Sequence, residues 1–216
     1  MGVLIEELSV SEQENPNRIY GVAIATVINN LDSTGKGRVQ LSLPWLPDFE
    51  PWARIAVLSA GNDRGTYFIP QVGDEVLVAF DQGDVREPYV VGSLWNSQDS
   101  PPASGPLDPV AKRMIKTPAG HVMEFDDTLQ SIKITTLTSQ TVTMDMQGVK
   151  IATANDTASI KMDLAGNITL QGTISVTLKA PSISLEGTTI SIKADANASL
   201  QSGGTCQIKG SLVTIN

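Results

Sequence analysis

The residue types able to support chemistry are few and isolated in this 216-residue sequence. His121 is the only histidine, followed by Val122 and Met123, and no second histidine or cysteine cluster accompanies it. It could ligate a metal or anion only where symmetry copies met on an axis; a structural residue at a junction is the simpler expectation. Cys206, the single cysteine, can form no internal disulfide and is expected to behave as a small hydrophobe. Lys36 follows Gly35, but a phosphate loop needs a glycine five positions before Gly35 and Ser or Thr after the lysine. Asn30 and Gly37 stand there, which predicts a tight hairpin turn. Gly61-Asn62-Asp63-Arg64-Gly65 could cradle an anion, although Asp63 opposes one. The carboxylates of the second half, among them Asp145, Asp163, Glu186 and Asp195, are scattered singly, whereas a glycosidase needs two within about 5 to 10 Å. No catalytic residue, metal ligand or cofactor is therefore expected. A β-helical polysaccharide-degrading enzyme remains the alternative if carboxylates pair between chains.

The elements that would hold such residues divide into two kinds. Hydrophobic residues make up 41% of the chain, yet aromatics only 5% and charged residues only 18%, so the apolar content is aliphatic and suits strands. No apolar run reaches the roughly 18 residues of a membrane helix. Met1 to Val10 lacks a signal peptide's basic start, so a soluble protein made in the cytoplasm is expected. Net charge is −8, and through Val110 only Arg18, Lys36, Arg38, Arg54, Arg64 and Arg86 stand against 15 acidic residues. Such a balance argues against nucleic-acid recognition, which draws on Lys and Arg. From Ala111 onward nine basic residues face eight acidic ones, and Phe125 is the only aromatic beyond residue 96.

The proline-rich stretch from Ser100 to Pro109 marks the boundary. Strands are expected before it at Tyr20–Ile28, Gly37–Leu43, Ala53–Leu58, Glu75–Phe80 and Pro88–Trp95, which suits a small OB-type barrel with Trp45, Trp52 and Trp95 in its core. The expected organisation is an arm over 1–18, the barrel over 19–100, a linker over 101–118 and a β-stalk over 119–216, with a short helix or arm around Leu4 to Val10. The stalk alternates apolar and polar residues, as in Ile160-Lys161-Met162-Asp163-Leu164, so one face of each strand is aliphatic. The aliphatic set is Ile132, Ile134, Val142, Met144, Ile151, Ile160, Met162, Leu164, Ile168, Leu170, Ile174, Val176, Leu178, Ile183, Leu185, Ile190 and Ile192. Each strand offers too little to fill a core alone, whereas three chains wrapped about one axis would join these stripes into a dry centre. A monomeric solenoid or sandwich fits the alternation equally well.

The barrel blocks carry a resemblance. Gly37-Arg38-Val39-Gln40-Leu41-Ser42-Leu43-Pro44-Trp45 is followed by Trp52-Ala53-Arg54-Ile55, by the Gly61–Gly65 loop, by Val72-Gly73-Asp74-Glu75-Val76, and by Pro88-Tyr89-Val90-Val91-Gly92-Ser93-Leu94-Trp95. In this order and spacing they resemble the OB domain of phage baseplate assembly protein V and of valine-glycine repeat protein G, the type VI secretion spike. The motif residues are Gly37, Arg38, Val39, Pro44, Trp45, Gly73, Asp74, Gly92 and Trp95. The resemblance implies an all-β chain, with an OB-fold barrel followed by an intertwined, triple-stranded trimeric β-helix. It also implies a non-enzymatic central spike in the tail baseplate of a virion, or of a phage-like injection system, driven through the target cell envelope when the sheath contracts. The Gly61–Gly65 loop would then order neighbouring subunits. No hub domain precedes the OB blocks, so a separate trimeric hub protein is expected. Some family members end in a His-x-His motif holding iron, and His121 lies too early for that. Leu212-Val213-Thr214-Ile215-Asn216, still alternating, is expected to seat a separate tip-capping proline-alanine-alanine-arginine repeat protein.

Overall fold

The computed structural model describes residues 18–215; the helix or arm expected around Leu4–Val10 lies outside them. Five strands close into a barrel: β1 (Val22–Asn29), β2 (Val39–Ser42), β3 (Trp52–Ile55), β6 (Glu75–Asp81) and β7 (Asp84–Leu94), in the spatial order β1-β2-β3-β7-β6. The short hairpin β4 (Ala60–Gly61) and β5 (Arg64–Gly65) stands apart between β3 and β6. All barrel pairings are antiparallel except β3 with β7, which run parallel through Arg54↔Tyr89 and Ile55↔Val90 and so close the sheet on itself. Closure leaves no free edge on this domain.

Alternation decides what fills the barrel. Ala25 and Val27, Val39 and Leu41, Ala53, Val76 and Val78, and Val90 all point inward and are sealed from solvent, joined by Leu43 and Phe80. Each buried Val or Leu contributes about 1.5–3 kcal/mol, so this domain holds together from its own residues. The interior is too narrow for indoles. Because Ala53 faces inward, its neighbour Trp52 must face out, and Trp45 and Trp95 remain 43% and 69% exposed. The expectation of a tryptophan core is thereby corrected: small and β-branched side chains fill the space.

The longest strand, β7, starts at Asp84, before the expected Pro88. A proline has no N–H for the ladder, and its presence suggested a strand start. The sheet accommodates Pro88 opposite Phe80 beside a register irregularity between Phe80 and Asp81. The β6–β7 turn places both Gln82 and Gly83 at positive φ, the geometry of a two-residue hairpin turn.

Beyond the proline-rich stretch comes one helical turn, α1 (Asp108–Ala111), and then a seven-stranded antiparallel meander in simple sequence order. Its strands are β8 (Lys112–Lys116), β9 (Val122–Asp126), β10 (Ser131–Thr135), β11 (Thr141–Asp145), β12 (Gly148–Ala152), β13 (Ala158–Asp163) and β14 (Ile168–Gly172). Strand β8 thus lies inside the span expected to be linker; its Ile115 pairs with Met123 in the stalk's apolar row, while Met114 faces Glu124 on the other side. Asp126, Asp145 and Asp163 close the hairpins, accepting hydrogen bonds from the backbone N–H groups of Leu129 (2.9 Å), Gln147 (2.8 Å) and Ala165 (3.0 Å) respectively. Asn167 donates to Asp163 from backbone and side chain, which lowers that carboxyl's pKa. After Gly172 no strand forms among the described residues, although the apolar alternation continues.

Candidate functional site: an unpartnered apolar ladder

The stalk registers align the aliphatic residues into two rows on one face of the meander. One row runs Ile115, Met123, Ile134, Val142, Ile151, Ile160, Leu170; the other runs Phe125, Ile132, Met144, Val149, Met162, Ile168. The structure therefore brings Ile132, Ile134, Val142, Met144, Ile151, Ile160, Met162, Ile168 and Leu170 of the expected set onto a single surface. Leu164 is separate, in the β13–β14 turn. Ile115, Met123, Phe125 and Val149 join the surface although sequence reasoning left them out of the set. Ile115 was hidden by taking the linker to extend to 118, whereas the alternations Val122-Met123-Glu124-Phe125 and Val149-Lys150-Ile151 were the signal for the other three. The opposite face is polar, with the row Glu124, Lys133, Thr143, Lys150, Lys161, Thr169, and Lys150 pairs with Asp156 at 2.7 Å.

Nothing within the described chain covers the apolar rows. Ile151, Ile160 and Leu170 line an open groove of about 420 Å³, and Ile160 in its middle remains 39% exposed. The remaining expected residues, Ile174, Val176, Leu178, Ile183, Leu185, Ile190 and Ile192, lie on the segment past β14 and are all exposed, Ile174 at 97%. The last backbone hydrogen bond of the stalk joins Thr173 N–H to Thr157 C=O at 2.9 Å. From residue 174 to 215 no backbone–backbone hydrogen bond forms among the described residues. An alternating, aliphatic, unpaired backbone of this length in water carries both exposed apolar surface and a free strand edge.

The isolated polar residues have structural employment. His121 sits in the β8–β9 turn, where its backbone N–H donates to Thr117 Oγ1 (3.1 Å) and its Nδ1 accepts from Leu137 N–H (3.3 Å), tying two turns together. Cys206 is exposed, two residues before Ile208. Asp195 lies 3.8 Å from Lys193, and Glu186 accepts from Ser184 at 3.2 Å. Among the described residues no three His, Cys, Asp or Glu side chains gather as a metal site. Leu212 to Ile215 belong to no strand and are exposed, while Asn216 lies outside the described residues.

In the barrel the motif residues serve loop geometry. Asp32, with a 4% exposed side chain, accepts from Thr34, from the backbone N–H of Lys36 and Arg38, and from the Arg38 guanidinium at 3.0 Å. The Arg38 guanidinium holds this carboxyl far below the usual carboxylate range, against the opposing effect of burial, and Arg38 also lies 5.4 Å from the Trp52 ring centre. Gly37 (φ +67) sits within this loop and Gly73 (φ +101) precedes Asp74, whose carboxylate accepts from Gln71 N–H at 2.8 Å. Val39 is core, while Gly92 faces solvent on β7 and Pro44 is exposed beyond β2.

The parts define a class: a closed barrel of OB topology leading into a β-stalk whose apolar face and distal backbone find no partner among the described residues. Residues 23–95 match the family described as the type VI secretion system/phage-baseplate injector OB domain. The chain is 31% identical over 129 residues to the type VI secretion system spike protein VgrG2a of Pseudomonas aeruginosa, covering 53% of this chain and 15% of that protein. It is 30% identical over 110 residues to the spike protein VgrG3 of Vibrio cholerae, covering 46% of this chain and 11% of that protein. The similarity thus spans a small fraction of these relatives' length.

Proposed function

We propose that the chain is a homotrimeric, non-enzymatic central spike of a contractile-tail baseplate, in a virion or a phage-like injection system. It attaches below a separate trimeric hub protein and is driven through the target cell envelope on sheath contraction. The observation that carries this reading is the segment 174–215, where apolar alternation continues while the described residues supply no ladder partner. Two further copies would satisfy both needs at once: three aliphatic stripes would meet on an axis, and each strand would pair with its neighbours' edges. The injector OB domain supports the baseplate setting. The mechanism is mechanical, because interchain ladders and an interlocked apolar axis resist bending under axial load. The exposed and unpaired residues Leu212–Ile215 would suit a tip-capping protein of the proline-alanine-alanine-arginine repeat type, seated by strand addition. Light scattering tests the assembly: a trimer near three times 22.9 kDa is expected, and a stable, folded monomer would refute the proposal.

A further inference from the structure

The described part of the barrel domain, residues 18–110, carries six basic and eleven acidic residues. Three of the six cations are engaged by their own neighbourhood. Arg38 pairs with Asp32 and Arg86 with Asp84 (2.7 Å), while Arg18 donates to Tyr20 Oη and Gln82 C=O. The other three, Lys36, Arg54 and Arg64, have no carboxylate within ion-pair distance among the described residues, and all three line one groove of about 810 Å³ between the β1–β2 loop, β3 and the β4–β5 hairpin, where Asp63 is the single acidic lining residue against them. Arg54 is held in place over the Tyr89 ring at 4.8 Å. A second groove of about 440 Å³, at the β6 and β7 ends, is lined by Asp74, Glu75, Asp99 and Trp95, again without an ion pair among the described residues.

We propose that these two grooves are the two halves of a barrel–barrel seam, the Lys36/Arg54/Arg64 groove of one copy receiving the Asp74/Glu75/Asp99 rim of the next. This inference rests on the homotrimer proposed above. Three net-acidic barrels gathered about one axis repel one another, and a domain short of cations has left its three free ones in a single concave place. The two surfaces differ, so their contact is head-to-tail, the kind that closes into a ring when the rotation is threefold. Opposite charge across such a seam fixes orientation and register, which would bring the three stalks together with one rotational setting.

Among the described residues Lys36 is the only amine lining the basic groove, and a water-soluble carbodiimide joins amines to carboxylates without a spacer. Treatment of the full-length protein is expected to give covalent dimers and trimers containing Lys36 joined to Asp74, Glu75 or Asp99, in peptides absent from the monomer band. Lys36→Arg should abolish that product while leaving the trimer intact. Arg54→Glu with Arg64→Glu should cut its yield at least tenfold. A light-scattering trimer in which Lys36 stays uncoupled, or couples to other carboxylates, would overturn this seam alone; a folded monomer would overturn the spike reading with it. Micromolar binding of a single-stranded oligonucleotide, lost in Arg54→Glu, would reassign the groove to polyanions and equally overturn the seam.

Discussion

Replacing Ile160 with aspartate tests the apolar axis at its centre. Ile160 stands between Ile151 and Leu170 in the cross-strand row, with 39% of its surface still exposed. Full burial of such a side chain is worth about 1.5–3 kcal/mol, so association that covers the remainder contributes about 1 kcal/mol per copy and about 3 kcal/mol per trimer. The carboxylate adds a larger cost, since an unpaired ion withdrawn from water costs several kcal/mol and three of them would face one axis. The sum is on the order of 10 kcal/mol or more, about seven decades in the association constant at about 1.4 kcal/mol per decade. The neighbouring Lys161 is the control. It lies on the polar face directly opposite Lys150, where like charges destabilise, so Lys161→Asp should be neutral or stabilising by a few tenths of a kcal/mol. Analytical ultracentrifugation of both variants over a concentration series reads the outcome. A trimer unharmed by Ile160→Asp, or one dissociated by Lys161→Asp, would refute the assignment of faces.

Three further outcomes are expected. Gly148→Ala should open the β12–β13 hairpin, because φ is +129 and an added Cβ would lie 2.0 Å from the Met162 carbonyl oxygen; hydrogen exchange should show faster amides at Gly148–Ala152 and Ala158–Asp163, and unchanged rates would count against it. Leu41→Ala, at a fully buried barrel position, should cost about 2–5 kcal/mol in denaturant unfolding of the barrel, a loss below 1 kcal/mol being the contrary result. For Asp32, a folded pKa held below its unfolded value means stability that is fully present above about pH 4 and is lost as acid titrates the folded group. The deficit of Asp32→Asn in urea midpoint should therefore be largest at pH 7 and shrink by pH 3; a deficit independent of pH would show that the charge of Asp32 is not what matters.

The barrel was legible strand by strand because its residues alternate within a closed sheet, so inward positions such as Val76 and Val78 declare themselves locally. What escaped was the direction of the large side chains. Nothing in the spelling of Trp45, Trp52 or Trp95 says that a five-stranded interior is already full of valine, leucine and alanine; that follows only once Ala53 is placed inside. In the stalk the apolar face was visible in sequence, but its edge was not. Ile115, Met123 and Phe125 sit among Arg113, Lys116 and Glu124 next to prolines, and only the register with Ile132 and Ile134 assigns them to the same surface. The basic groove was harder still: Lys36, Arg54 and Arg64 are far apart in sequence, and the β1–β2 loop and the β4–β5 hairpin bring them together.

The two halves of the chain solve the same problem in opposite ways. A strand must pair its backbone and cover its apolar face; the barrel does both by closing on itself, which is why its core residues are sealed while the stalk's are not. The stalk first pairs within the chain, strand by strand, through β14, and then stops pairing without any change in its side-chain pattern. Continuity of pattern across a break in pairing is what the proposed trimer would use, with ladder partners for Ile174 onward supplied by the other two chains. In the proposed trimer, intrachain hairpins near the barrel would hand over to interchain ladders toward the tip. No single chain could then peel away from the distal part without breaking bonds to both neighbours. In the proposed spike, that arrangement would place the most cooperative structure at the distal end.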